Sequence, residues 1–153
     1  MGRATSTTTT TSARSGPRAA AKAAALAKLR AAGLRPTRQR LALGALLFDG
    51  RHRHVTAEAL HGEVQAQGAG VSLATVYNTL HQFTGAGLLR EVVVAAGVSH
   101  FDTNVGDHHH LYFEEIGELR DIEAAQVRIS GLPPAPKGAE VASIDVIVRL
   151  RRR

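Results

Sequence analysis

Apolar side chains recur at helical spacing in four successive stretches of the first ninety residues, each closed by glycine. "AAAKAAALAKLRAAGL" is alanine-rich, sets Leu26 and Leu29 on one side and meets Gly33, which predicts a helix. In "LRPTRQRLALGALLFDG" Thr37 follows Pro36 as a cap, and Leu43, Leu46 and Leu47 then fall at i, i+3, i+4 before Gly50. "HVTAEALHGEVQAQGAG" offers Thr56 as cap, Glu58 at the positive end of the helix dipole, and Leu60 and Val64 one turn apart. "VSLATVYNTLHQFTGAG" starts at Ser72 and turns Val76, Leu80 and Phe83 inward, leaving Thr75, Tyr77, Asn78 and Gln82 on the other face.

After the fourth stretch the period changes. "LLREVVV" and "VSHFDT" flank the turn "AAG", which predicts a β-hairpin. Two helices joined by a glycine turn and followed by a hairpin make a winged helix. Beyond Thr103, "HHHLYFEE" and "GELRDI" predict strands, "EAAQVRIS" a short helix, "GLPPAPKGA" a loop and "EVASIDVIVRL" a last strand. Alternation in that strand opposes an apolar set (Ala142, Ile144, Val146, Val148, Leu150) to a mixed one containing Ile147, as in a sheet that buries one face, here against a second subunit. The expected fold class is α+β: a Thr/Ser-rich basic disordered arm over 1–21, a winged-helix domain over 22–103, a small α/β dimerisation and sensing domain over 104–150, and a basic tail over 151–153. The arm's arginine-rich, acid-poor composition also suits an organellar transit peptide.

Charge sharpens the division. Residues 1–100 hold 12 Lys and Arg against 4 Asp and Glu, whereas residues 101–153 hold 7 against 9. A basic front part suits a polyanion. Arg35, Arg38 and Arg40 gather at the start of the second helix, where they are expected to neutralise phosphates. Asn78 and Thr75 suit base edges, Tyr77 a phosphate or thymine, and Thr37 and Ser72 join the same expected DNA-binding surface. The chain has no cysteine, so any metal must sit in nitrogen and oxygen. No apolar run approaches the roughly 18 residues needed to span a bilayer, and the protein is expected to be soluble, cytoplasmic and without a membrane partner.

The densest ligand chemistry lies in "FDTNVGDHHHLYFEEIGELRDI". Strand alternation puts His108 and His110 on one side, able to chelate a single ion, and His109 on the other. Asp102, Asp121 and His54 can converge on that ion if the domains fold together, giving three imidazoles and two carboxylates that suit Fe, Mn, Co or Zn. A metalloenzyme built on a facial triad, or a metal carrier, is the alternative; neither explains the basic helix-turn-helix.

These motifs together resemble the ferric uptake regulator family over residues 23–150, and most closely its iron response regulator branch. The carriers are "LRPTRQRLAL", "HVTAEAL", "SLATVYNTLHQFTGAGLL", "HFDT" and the histidine-rich junction. The resemblance implies a homodimeric transcription regulator, not an enzyme, that binds double-stranded operator DNA and takes a divalent metal (Fe, Mn or Zn) at His54, Asp102, His108, His110 and Asp121. From the branch it implies a haem response through His108, His109 and His110, with His109 as the candidate axial ligand; sensing of another divalent metal or of peroxide is the alternative. The structural zinc held elsewhere in the family by CxxC pairs is not expected, because the first pair would fall at Phe113 and Ile116, where apolar packing is expected instead. An accessory site is likewise not expected, with Arg128 and Ile144 at its positions.

Overall fold

In the computed structural model, which describes residues 16–153, the first helix α1 (Pro17–Ala31) begins with proline in its first turn, where a missing N–H costs nothing. Residues 17–21, expected in the disordered arm, are therefore helical: alanines follow Pro17 directly, and propensity carries the helix back to it. The remainder of the expected arm, 1–15, lies outside the described residues. α2 (Arg38–Leu47), α3 (Ala57–Ala66) and α4 (Leu73–Gly85) start where expected, each with a hydroxyl cap: Thr37 accepts from the Arg40 amide, Thr56 from Ala59 and Ser72 from Thr75. Leu29, Leu43, Leu47, Leu60, Val64, Val76, Leu80 and Phe83 are fully buried and form the core between the helices. α1 and α2 approach closely at Gly44, where an added Cβ would lie 3.1 Å from that of Ala25.

The hairpin forms as β2 (Arg90–Ala95) against β3 (Val98–Asp102), and a two-residue strand β1 (His54–Val55), which the sequence did not signal, pairs with the other edge of β3. Its register sets His54 directly opposite Asp102.

In the second domain β4 (His108–Phe113) is central, with β5 (Glu118–Glu123) antiparallel on one side and β6 (Ile147–Leu150) parallel on the other. Register here sets His110 opposite Asp121. The expected helix over "EAAQVRIS" shrinks to one 3-10 turn, Ala124–Gln126, so among the described residues this domain holds no α-helix. Gln126 accepts from the Glu123 amide and closes that turn, and β-branched Val127 then leaves it in extended geometry. The last strand is also shorter than expected, because only residues 147–150 lie in ladder register with β4, preceded by the Val146 carbonyl, which accepts from the His110 amide.

Ile147, which alternation assigned to the mixed face, is the residue that packs inward, against Val92, Val94, Tyr112 and Leu119. Ile144 and Val148 of the apolar set stay exposed. Ile116 is 66% exposed, so the apolar packing expected here in place of a cysteine pair does not form at this residue. The turn there is closed instead by Gly117 at positive φ, its amide bonded to the Phe113 carbonyl, with the Arg120 guanidinium over the Phe113 ring at 4.7 Å.

The domains also meet through polar contacts. Arg90 pairs with Asp145 and donates to the Gly106 carbonyl, and a His100 ring nitrogen donates to the Gly117 carbonyl. Among the described residues no helix is long and apolar enough to cross a membrane.

Candidate metal centre and DNA-facing surface

Two cross-strand pairs, His54 with Asp102 and His110 with Asp121, bring ligands from separate sheets to one point, and His108 joins them two residues along β4. One ligand atom from each of the five lies within 4.8 Å of all the others. The Asp102 Oδ2 atom is 2.8 Å from His108 Nε2, 3.1 Å from His110 Nε2 and 3.3 Å from His54 Nε2. The two β4 nitrogens are 3.0 Å apart, and His54 Nε2 is 2.8 Å from Asp121 Oδ1. Donors held at about 2.1 Å from one ion stand about 3.0 Å apart when adjacent, so this spacing matches a coordination sphere.

Donor chemistry agrees with that fit. His54 Nε2 is buried and has no hydrogen bond despite its neighbouring carboxylates. The His108 Nδ1 atom is 2.7 Å from the Gly106 carbonyl, which can only accept, so the proton sits there and Nε2 presents a bare lone pair inward. Burial alone would raise the Asp102 carboxyl, but the His110 and His54 rings and the Asn104 amide outweigh it and hold the group well below the usual carboxylate range. Burial would lower His54; Asp102 and Asp121 outweigh it and raise the ring above the ordinary histidine value. His100, behind the cluster, is lowered by burial and by the facing His54 and His110 rings.

Sequence reasoning missed Asn104. Its backbone amide donates to Asp102 at 2.8 Å, its side-chain amide donates to Asp121 Oδ2 at 3.0 Å, and its carbonyl oxygen accepts from the Gly106 amide at 3.2 Å. The residue thus orients Asp102 through its backbone amide, and Asp121 and the loop that bonds His108 through its side chain. The signal was its place in "FDTN", directly between the ligands.

The histidine triplet divides as alternation requires. His109 faces away, is 7% exposed, and its Nδ1 accepts from the Val146 amide at 3.3 Å. A neutral ring accepting at Nδ1 keeps its proton on Nε2. That state is not a haem ligand, and His108 and His110 point into the cluster, so this arrangement does not fit an axial haem site.

On the expected DNA surface, Arg35, Arg38 and Asn78 are exposed, with no side-chain hydrogen bond or ion pair among the described residues. The others are engaged. Thr37 and Ser72 cap helices, the Ser72 hydroxyl also donates to Thr75, and Tyr77 donates to Glu58 at 2.6 Å. Arg40 is half-buried and bonded to Gln82.

A winged helix joined to a second domain through a ring of imidazoles and carboxylates defines a metal-responsive transcription regulator. The chain belongs to the Ferric uptake regulator family, matched over residues 31–148, whose members are transcription regulators and not enzymes. It is 33% identical to the peroxide-responsive repressor PerR of Staphylococcus aureus over 102 residues, covering 67% of this chain and 68% of the relative. The ferric uptake regulator of Pseudomonas aeruginosa, solved with manganese, superposes with a TM-score of 0.64 at 28% identity over 84% of this chain and 98% of its own. That of Vibrio cholerae gives 0.63 at 24% identity over 80% and 95%, a likeness of fold. The metalloenzyme alternative is thereby set aside.

Proposed function

We propose that the chain is a homodimeric regulator whose affinity for operator DNA is set by a divalent metal, Fe, Mn or Zn, at His54, Asp102, His108, His110 and Asp121. The observation that carries this is the split origin of the five converging ligands: His54 and Asp102 belong to the winged-helix sheet, the other three to the second domain. An ion bound there favours one angle between the domains, and so one spacing of the two α4 helices in a dimer, in proportion to its differential affinity for the arrangements. Three nitrogens and two carboxylate oxygens suit five- or six-coordinate Fe or Mn, and accept Zn. Dimerisation is supported by Val141, Ile144 and Val148, large apolar side chains left exposed along the last segment.

The metal reading stands ahead of the haem response of the iron response regulator branch, because His109 Nδ1 accepts from the Val146 amide, which keeps the ring's proton on Nε2. A peroxide response is a second reading, favoured by the likeness to PerR, and it uses the same five residues. The test is titration of the purified protein with manganese, zinc and haem, each followed by DNA binding. His108→Ala with His110→Ala is expected to abolish metal binding and the metal effect on DNA affinity while the far-UV spectrum is unchanged. DNA affinity indifferent to every metal, or a double variant that responds as wild type does, overturns it.

A further inference from the structure

Arg40 does not stand free as a phosphate anchor would. Its Nε and Nη2 both donate to Gln82 Oε1, at 3.2 and 2.8 Å, and its Nη1 donates to the Arg35 carbonyl at 2.8 Å. The guanidinium therefore ties the first turn of α2 to the last turn of α4. Gln82 lies four residues beyond Asn78 and seven beyond Thr75, on the same helical face, and its side chain is exposed. All three line a cleft of about 460 Å³ between α2 and α4.

An amide oxygen has two acceptor positions, and Arg40 fills both. This fixes the flip of the amide, so its NH2 group turns away from Arg40 and has no partner among the described residues. A free glutamine reads adenine with oxygen and nitrogen together. With its oxygen occupied, Gln82 can only donate.

We propose, resting on the operator-binding reading above, that Gln82 is a specificity-determining residue and Arg40 its positioning residue. The fixed amide donates to an acceptor in the major groove, guanine O6 or N7, adenine N7 or thymine O4, and disfavours cytosine, which presents the N4 donor there. Arg40 acts through Gln82 and adds no phosphate contact.

The test begins by selecting from random-sequence duplex DNA with full-length wild-type protein and manganese, then measuring the enriched duplex and its single-base variants against Arg40→Ala, Gln82→Ala, their combination and Gln82→Glu. Arg40→Ala and Gln82→Ala are expected to relax preference at the same base pair by about 5- to 150-fold. The combined variant should be no worse than either alone. Gln82→Glu, which keeps a partner for Arg40 but has no donor, should lose the same preference. Salt dependence of binding should be unchanged in Arg40→Ala, whereas Arg38→Ala, as the reference, flattens it by about one unit. Additive losses with a flattened salt slope in Arg40→Ala, or unaltered base preference in folded Gln82→Ala, overturn the proposal. No enrichment by the wild type overturns the operator-binding reading itself, and is seen before any variant is made.

Discussion

At the scale of single residues the five-residue cluster was legible because its chemistry is written in residue type: no cysteine, two histidines at alternate strand positions, and carboxylates on either side. Asn104 was not, since nothing in the sequence shows that its amide spans to Asp121, 17 residues away. Removing its side chain frees the Asp121 carboxylate and the loop that bonds His108, while the backbone bond to Asp102 stays. Asn104→Ala is expected to weaken metal binding by about 10- to 100-fold, the usual effect of losing a group that orients a ligand, with the fold retained. Calorimetric titration with zinc or manganese checks this, and an affinity equal to wild type would remove Asn104 from the site. Protons compete for the same nitrogens. His54 is raised above the ordinary histidine value by Asp102 and Asp121 against the opposing effect of burial, so its protonation opposes the metal from a pH above about 6.5. Metal affinity should fall on going from pH 8 to pH 6. In the metal-free protein the signs differ by group. His54 contributes stability that is complete below about 6.5 and lost as pH rises through its raised value, whereas depressed Asp102 contributes above about 3.9 and loses it as pH falls. Metal-free melting temperatures that rise steadily from pH 6 to pH 8 would contradict the His54 assignment.

Among elements, the helices were legible to within a few residues because each cap lies beside its helix in the sequence, as Thr37, Thr56 and Ser72 do. Strands depend on partners that no local pattern names. β1 exists only because β3 offers an open edge to His54 and Val55, and β6 ends where β4 ceases to pair with it. Alternation predicted the two faces of β6 but not which one the chain's own core takes; Ile147 fills the gap beside Val92 and Val94, and Val148 is left outward, 39% exposed. If that outward face meets a second subunit, Val148→Asp should leave the monomer folded, since in a single chain the charge reaches water. In the dimer it would bury an unpaired carboxylate, at a cost of several kcal/mol. Light scattering should then show monomers where the wild type shows dimers. A stable dimer from this variant would move the interface elsewhere.

For the whole molecule, the five-residue cluster of imidazoles and carboxylates is one of two sets of contacts that join the domains. The other is the cluster of Val92 and Val94 with Tyr112, Leu119 and Ile147, flanked by the Arg90 pair with Asp145 and the His100 bond to the Gly117 carbonyl. Both sets favour the same arrangement, so linkage requires that weakening one lowers the apparent strength of the other. Ile147 makes this testable because it supplies no ligand atom and lies outside the five-residue ring. In Ile147→Ala the apolar docking surface is reduced, and part of the binding free energy of the metal must restore the docked arrangement. Metal affinity is expected to fall about five-fold or more, the low end of ordinary coupling between sites, although all five ligands are intact. The same variant should gain more compactness than the wild type when metal is added, as measured by small-angle scattering, because its metal-free ensemble holds more undocked chains. If calorimetry returns the wild-type affinity from a folded Ile147→Ala protein, the two sets of contacts are independent, and the domain angle is set by the metal ligands alone.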